Sequence, residues 1–162
     1  MTMRWDSFVD ACPEITSLAE ERFRSDELVM LGTLRADGSP RISPCELDIA
    51  EGHLCFGMMW RSKKALDLLR DPRCVVHSVT CDRMGTDGDL KLYGRMIDVH
   101  EPELRLAYRA AIKARIDWQP DEPEFHLFSL DVASAGYTIF AEDAHRALAW
   151  DPRAGLRELP LG

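Results

Sequence analysis

Three side chains that can bind an anion follow one another where a predicted strand runs into a predicted helix. Ser62, Lys63 and Lys64 offer a hydroxyl and two ammonium groups, and Arg61 precedes them. The first N–H groups of a helix have no partner within it, and the helix dipole is positive at that end. A phosphate-bearing cofactor is therefore one predicted ligand of this segment. A solvated basic helix start without a ligand is the alternative, which composition alone leaves equally open.

The rest of the chain is acidic, so these cations form a local exception. The 162 residues include 28 Asp and Glu against 20 Lys and Arg, which gives a formal net charge of -8. This charge predicts no nucleic-acid partner, because a polyanion would be repelled. The length fits a single domain over residues 1–162. No apolar run is long enough to span a bilayer and no export signal is evident, so we predict no membrane partner and a cytoplasmic location.

The cysteine pattern predicts reduced thiols. The five cysteines form an odd set without a CxxC pair. Cys45, Cys55 and Cys74 occur in apolar, strand-like segments, where a thiol usually acts as a small buried hydrophobe. Such usage is typical of a cytoplasmic protein. The five histidines show no ligand-like spacing, so we predict no metal site.

Hydrophobic periodicity predicts a mainly β (α+β) protein with flanking helices. The predicted helices cover residues 13–24, the segment from Ser62 to Asp71-Pro72, and 102–116. The predicted strands cover residues 28–34, 40–49, 53–59, 74–80, 90–99, 125–132, 136–140 and 146–150. Ala133-Ser134-Ala135 separates two of these strands, and residues 151–162 are predicted to be a C-terminal tail. Regularly spaced strands joined by short turns favour a small antiparallel barrel.

Four groups of motifs occur in an order that resembles the FMN-binding split-barrel family, which contains pyridoxamine 5′-phosphate oxidase. They are Gly32-Thr33-Leu34 with Asp37-Gly38-Ser39-Pro40, Phe56-Gly57-Met58 with Ser62-Lys63-Lys64, Asp71-Pro72-Arg73-Cys74-Val75-Val76, and Leu92-Tyr93-Gly94-Arg95. The resemblance covers roughly residues 13–141. It implies a six-stranded antiparallel split β-barrel with flanking helices that forms a homodimer, with FMN bound at the dimer interface. It also implies that the flavin phosphate lies on the helix start after Ser62, and that the ring lies along the second to fourth strands.

The residues predicted to bind the cofactor come from four successive strands and this helix start. They are Ser43, Pro44, Met58, Met59, Ser62, Lys63, Lys64, His77 and Lys91. We expect the two lysines to bind the phosphate, and we expect Ser62 both to cap the helix and to donate to a phosphate oxygen. Core packing is the alternative for the two methionines. A half-buried, hydrogen-bonded histidine is the alternative for His77.

Two departures from the family pattern shape the predicted activity. Oxidases that act on pyridoxamine phosphate carry an Arg where this chain has Ser43, and their C-terminal Arg-x-His is not found here. We therefore predict a related flavoprotein that transfers hydride or electrons to an unknown small molecule, rather than one that makes pyridoxal phosphate. No side chain is identifiable as catalytic, because the flavin itself carries out such chemistry.

Two alternatives stay open. In its Ser43-Pro44 pair on the second strand, the chain resembles the flavin/deazaflavin oxidoreductases, which use FMN or the deazaflavin coenzyme F(420). The acidic tail of that coenzyme requires a basic groove, which would form only if the candidate cations cluster. Those cations are Arg22, Arg24, Arg61, Lys63 and Lys64. The other alternative is a non-catalytic protein that binds flavin or haem, or a dimeric interaction module.

Overall fold

The computed structural model describes residues 2–80, 82–141 and 144–160. Within them lie four helices and eight strands. The helices are α1 (Trp5–Ala11), α2 (Pro13–Asp26), α3 (Lys63–Arg70) and α4 (Pro102–Ile116). The strands are β1 (Leu28–Leu34), β2 (Pro40–Ala50), β3 (His53–Met59), β4 (Arg73–Ser78), β5 (Asp89–Asp98), β6 (Phe125–Ala141), β7 (Ala144–Asp151) and β8 (Gly155–Leu159).

Six of the strands close into an antiparallel barrel. The strand order is β3-β2-β1-β4-β5-β6-β7-β8, and β3 also pairs with β6, which closes the ring and leaves β7 and β8 as an extension. Alternate residues point inward, so Leu31, Leu47, Phe56, Leu92 and Leu130 are buried in one core. This architecture confirms the predicted six-stranded split barrel.

The pairing of β2 with β3 is only partial, and this opens the barrel on one side. Residues 47–50 pair with residues 53–56 across a tight turn. Positive φ angles of 49° at Glu51 and 77° at Gly52 match the turn type that suits a two-residue hairpin. Residues 40–46 instead pair with β1, while residues 55–59 pair with β6. The two strands therefore diverge, and α3 follows directly after β3.

One predicted interruption is wrong. Ala133-Ser134-Ala135 does not separate two strands, because β6 runs unbroken from Phe125 to Ala141. Tyr93 lies opposite Ser134 while Gly94 lies opposite Val132, so the register shifts at this point. Ala133 is thus the extra residue of a β-bulge, which bends the strand without ending it.

Two elements were not predicted. Helix α1 carries the buried side chains of Trp5 and Phe8. The predicted tail over residues 151–162 contains β8, which pairs with β7; residues 161–162 lie outside the described part. The boundaries of the other predicted elements agree with the structure within two residues. No helix in the described residues is long and apolar enough to cross a membrane.

Candidate functional site

The opening between β2 and β3 holds a cleft of about 810 Å³. Sites for small ligands and cofactors span roughly 300–1,000 Å³, so the size is appropriate for one. Its walls come from residues 41–46 of β2, from the end of β3, from the start of α3, and from the segment that joins α4 to β6. The same divergence of strands that opens the barrel therefore creates the cleft.

The start of α3 forms the cationic end of the cleft. Lys63 and Lys64 both line it, and the Lys64 Nζ donates a 2.6 Å hydrogen bond to the Pro44 carbonyl across the opening. Ser62 occupies the N-cap position, but its hydroxyl makes no capping bond, so that part of the prediction is wrong. Instead the Ser62 Oγ is buried and has no hydrogen-bond partner in the described part of the chain. A buried hydroxyl without a partner is costly unless a ligand satisfies it.

Arg41 adds a third cation to this end of the cleft. It lies two residues before Ser43, so the two side chains point to the same face of β2. Its Nε donates a 2.7 Å hydrogen bond to Asp67, which is buried in α3 and also bonded by Thr33 and Arg70. Burial alone would raise the pKa of Asp67, but these hydrogen bonds hold that pKa below its ordinary value. The ionised carboxylate thus holds Arg41 in place beside the cleft.

Side chains satisfy the backbone of β3 where β2 has moved away. The Gly57 N–H donates to the Tyr108 hydroxyl at 3.0 Å, and the Cys45 thiol donates to the Gly57 carbonyl at 3.6 Å. A Cβ at position 57 would lie 2.4 Å from the Tyr108 Oη, so only glycine fits there. Burial raises the pKa of Cys45 to about 12. The Cys45 thiol is therefore neutral and protonated, and it lies buried behind the cleft rather than in its lining.

The segment of residues 117–124 forms the wall opposite β2, and two arginines of α4 fix it. Arg105 makes an ion pair with Glu122 at 2.9 Å. Arg109 donates a 2.8 Å hydrogen bond to the Pro120 carbonyl. This wall is thus held against α4 rather than left as an unattached loop.

Carboxylates and tryptophans occupy the mouth of the cleft. Asp121, Glu124 and Trp118 line it from the wall segment, and Trp60 lines it from the turn after β3. The Trp60 ring stacks on His126, with the ring centroids 4.5 Å apart and the planes 9° apart. Burial lowers the pKa of His126, so the stacked imidazole is held in its neutral form.

Most of the predicted binding residues meet in this cleft. Those that line it are Ser43, Pro44, Met58, Met59, Ser62, Lys63 and Lys64. His77 and Lys91 do not line it, because they face outward from β4 and β5 and lie opposite each other in the ladder. The His77 Nδ1 bonds the Ser78 carbonyl at 2.6 Å, and the Lys91 Nζ lies 3.9 Å from Asp89.

Sequence reasoning missed Arg41 and the carboxylates of Glu46, Asp121 and Glu124. The sequence does carry a signal for Arg41, because a residue two positions from Ser43 on the same strand faces the same side. Nothing in the sequence places residues 117–124 beside β2, since that contact depends on how α4 packs.

The cations considered for a basic groove do not all cluster. Arg22 is buried and pairs with Asp26 at 2.8 Å, and Arg24 lies 3.9 Å from Glu20. Arg61 lines neither the cleft nor the groove beside it, within the described residues. That groove, of about 390 Å³, shares Arg41 and Lys63 with the cleft, and its other cations are Arg35 and Arg70.

Six antiparallel strands that form a ring, with two neighbouring strands separated along part of their length, are typical of split β-barrel proteins. In this chain the separated strands are β2 and β3, and the basic start of α3 lies at the opening. Residues 15–139 match the family model described as pyridoxamine 5′-phosphate oxidase, and the chain belongs to this family. A comparison with curated protein sequences gave no match.

Several solved structures share the fold at low sequence identity. A haem-binding protein from Mycobacterium smegmatis is 18% identical, with a TM-score of 0.64 over 83% of this chain. ChuZ of Campylobacter jejuni is 12% identical, with a TM-score of 0.73 over 91% of this chain. The chain spans only 57% and 63% of the lengths of these two proteins. A pyridoxamine 5′-phosphate oxidase-related, FMN-binding protein from Nostoc punctiforme is 16% identical, with a TM-score of 0.65 over 91% of this chain and 95% of its own.

Proposed function

We propose that the protein is an FMN-dependent oxidoreductase that acts on a small molecule and works as a homodimer. The observation that carries this proposal is the buried, unpartnered Ser62 hydroxyl beside Lys63 and Lys64 at the start of α3. These groups fit a phosphate monoester, which offers acceptor oxygens to all of them.

The chain's own residues bind and orient the cofactor. Lys63 and Lys64 approach the phosphate as cations, Ser62 donates its hydroxyl, and Arg41 occupies the place beside Ser43 from which it can add a further charge. Each charge-assisted contact is worth about 1.5–3 kcal/mol.

The ring portion of the cofactor belongs along β2 and β3. Pro44 and Met58 offer apolar contact there, beside the backbone of Gly57. FMN supplies the hydride or electron transfer when it is bound, while the protein orients it and excludes water. We assign the Cys45 thiol no part in the transfer, because it is fully buried outside the lining of the cleft and its raised pKa keeps the sulfur protonated.

The outer face of the barrel supports the proposed homodimer. Ile42, Gly32, Val75 and Tyr93 lie in one row across β2, β1, β4 and β5. Ile42 is 71% exposed and Tyr93 is 47% exposed. Val75 fills the space over Gly32, where a Cβ would lie 2.6 Å from its Cγ1. A continuous apolar row of this kind suits a second copy of the chain, as such patches usually mark contact sites.

His77 and Lys91 lie on this same face. Their predicted role in cofactor binding therefore depends on the dimer and not on the cleft of one chain. Sedimentation velocity of Ile42→Glu tests the dimer: we expect a monomer, and an unchanged dimer would contradict this choice of face.

The proposed cofactor is tested by the absorption spectrum and the mass of whatever copurifies with the protein. We expect flavin bands and the mass of FMN. A protein that is colourless and fails to bind added FMN at micromolar concentration would contradict the proposal and favour a non-catalytic interaction module.

A deazaflavin-dependent reductase is the second candidate, and one observation favours it. The groove beside the cleft carries the four cations Arg35, Arg41, Lys63 and Arg70 against two carboxylates, Asp37 and Asp67. The excess of positive charge suits the acidic tail of the coenzyme. In protein freed of ligand, Arg35→Ala with Arg70→Ala should weaken deazaflavin binding and leave FMN binding unchanged. Equal effects on both would remove this candidate.

Haem binding lacks comparable support. In the described part of the chain, no histidine, cysteine or tyrosine lines the cleft. Met58 and Met59 do line it, but methionine ligates haem iron together with a histidine. Haem titration followed at the Soret band tests this: a sharp band that persists in the Lys63→Ala, Lys64→Ala protein would favour haem over flavin.

A further inference from the structure

One wall of the cleft carries only negative charges. Arg41, Lys63 and Lys64 come from the start of β2 and the start of α3, and the Lys64 Nζ reaches the Pro44 carbonyl, two residues from Glu46. On the opposite wall, formed by residues 117–124, the charged side chains that line the cleft are Asp121 and Glu124. The cleft therefore has a cationic end at α3 and an anionic wall.

The two sets also differ in their internal partners. Arg41 is paired with Asp67, and Lys64 is bonded to the Pro44 carbonyl. In the described residues, Glu46, Asp121 and Glu124 make no ion pair, although Glu122 between the last two is paired with Arg105. A phosphate at α3 would neutralise the cations further. The carboxylates would then dominate the field in the remaining space.

Two exposed indoles stand beside these carboxylates. Trp60 and Trp118 are 55% and 50% exposed, and both line the cleft. One face of Trp60 is covered by His126, so its other face is the one available to a ligand. Tryptophan faces attract flat rings by stacking and attract cations through the ring quadrupole.

We infer that this region binds a planar aromatic cation, such as an N-alkylated or protonated heteroaromatic ring, as the second ligand of the protein. The inference rests on the proposed function, because the phosphate of FMN is assigned to the cationic end. The indoles stack on the ring, and the carboxylates of Asp121 and Glu124 compensate its charge. A planar anion meets the same rings but is repelled by the same carboxylates.

Equilibrium dialysis against three probes of one shape tests the charge preference. The probes are 1-methylquinolinium, quinoline and quinoline-4-carboxylate, each offered to the FMN-loaded protein at pH 7.5. We expect the cation to bind about tenfold more tightly than the neutral ring, and the anion to bind most weakly. Equal binding of all three, or preference for the anion, would overturn the inference.

Variants separate the two contributions. Asp121→Asn with Glu124→Gln should lower the affinity for the cation about tenfold and leave the neutral probe unchanged. Trp118→Ala should weaken the binding of both the cationic and the neutral probe. As a control, Asp10→Asn with Glu103→Gln removes two exposed carboxylates outside the cleft and should leave the affinity for every probe unchanged. If this control lost as much affinity for the cation as Asp121→Asn with Glu124→Gln, the charge effect would be non-specific and the inference would be contradicted.

The same samples keep this inference apart from the proposed function. The Asp121→Asn, Glu124→Gln protein should bind FMN at least as tightly as the unmodified protein, because the change removes negative charge from the cleft. If the unmodified protein does not bind FMN, the proposed function fails, and the probe preference of the flavin-free protein still decides the inference. If FMN binds and the cation is not preferred, the inference alone fails.

Discussion

The two halves of the β2–β3 pair show how one hairpin serves both folding and binding. In the closed half, Leu47, Leu54 and Phe56 are at most 1% exposed, and the backbone groups bond across the ladder. In the open half, residues 40–46 have left β3, and side chains complete the bonding of Gly57. The closed half contributes apolar burial, whereas the open half presents polar groups that a ligand can satisfy.

This difference shows which part of the fold can bind a ligand. A continuous ladder leaves little backbone or side-chain bonding capacity for a ligand. Where the ladder opens, Pro44 offers a carbonyl to Lys64, and Ser62 keeps a buried hydroxyl without a partner. Substitutions should therefore separate into those that change stability and those that change affinity.

The largest expected effect is a loss of FMN affinity when the cations of the open half are removed. Lys63→Ala with Lys64→Ala should weaken FMN binding about 100-fold or more, because two charge-assisted contacts of about 1.5–3 kcal/mol each are lost. The urea midpoint should stay nearly the same. A titration that follows the quenching of FMN fluorescence measures the affinity.

A charge-matched control excludes a general effect of lost cations. Arg24→Ala with Lys113→Ala removes two exposed cations that do not line the cleft. This protein should bind FMN as the unmodified one does. A comparable loss in both proteins would mean that net charge, and not the helix start, determines affinity.

The closed half should show the opposite behaviour. Leu54→Ala removes a fully buried side chain and should lower the free energy of unfolding by about 2–5 kcal/mol. The affinity of the folded protein for FMN should change little. Urea unfolding of the flavin-free protein gives the first quantity. A large loss of affinity without a loss of stability would contradict the separation of roles.

Arg41 should contribute a smaller share of the phosphate affinity. Arg41→Met should weaken FMN binding about tenfold and leave riboflavin binding unchanged. Arg70→Met is the matched control, because Arg70 also bonds Asp67 but does not line the cleft. Equal losses of FMN affinity in the two variants would show that Arg41 acts only through Asp67 and the local fold, and would contradict a direct contact with the phosphate.

The smallest expected effect is the pH dependence contributed by His126. Burial lowers its folded pKa below the ordinary 6.5, so the unfolded chain takes up a proton first as the pH falls. Stability is therefore present above pH 6.5 and lost as the pH falls from there through the folded pKa. His126→Phe keeps a ring beside Trp60 and should lose less stability between pH 7.5 and 5.5. Urea unfolding at both values checks this, and an identical loss would contradict it.

Much of the fold was predictable because local patterns carry it. The apolar run of β1 and the Glu51-Gly52 turn act over a few residues, and α4 was predicted with the observed bounds. The bulge at Ala133 was not predictable, because a run of three small residues is equally compatible with a loop and with a bulged strand. Strand β8 has little burial to mark it, because most of its side chains are exposed.

The site was predictable where its residues are contiguous in sequence. Ser62, Lys63 and Lys64 are neighbours, and a helix start joins them without help from the rest of the fold. Trp118 and Asp121 reach the cleft only through the packing of α4 and its bonds to the wall segment. Long-range placement of this kind leaves no local pattern in the sequence.

The central claim is that the open half of the β2–β3 pair is a phosphate-anchored flavin site. The most direct test compares the affinities of FMN and riboflavin for the same ligand-free protein, because the two differ only by the phosphate. We expect FMN to bind at least about 100-fold more tightly, with the difference nearly abolished in Lys63→Ala, Lys64→Ala. Equal affinities in the unmodified protein would contradict the claim.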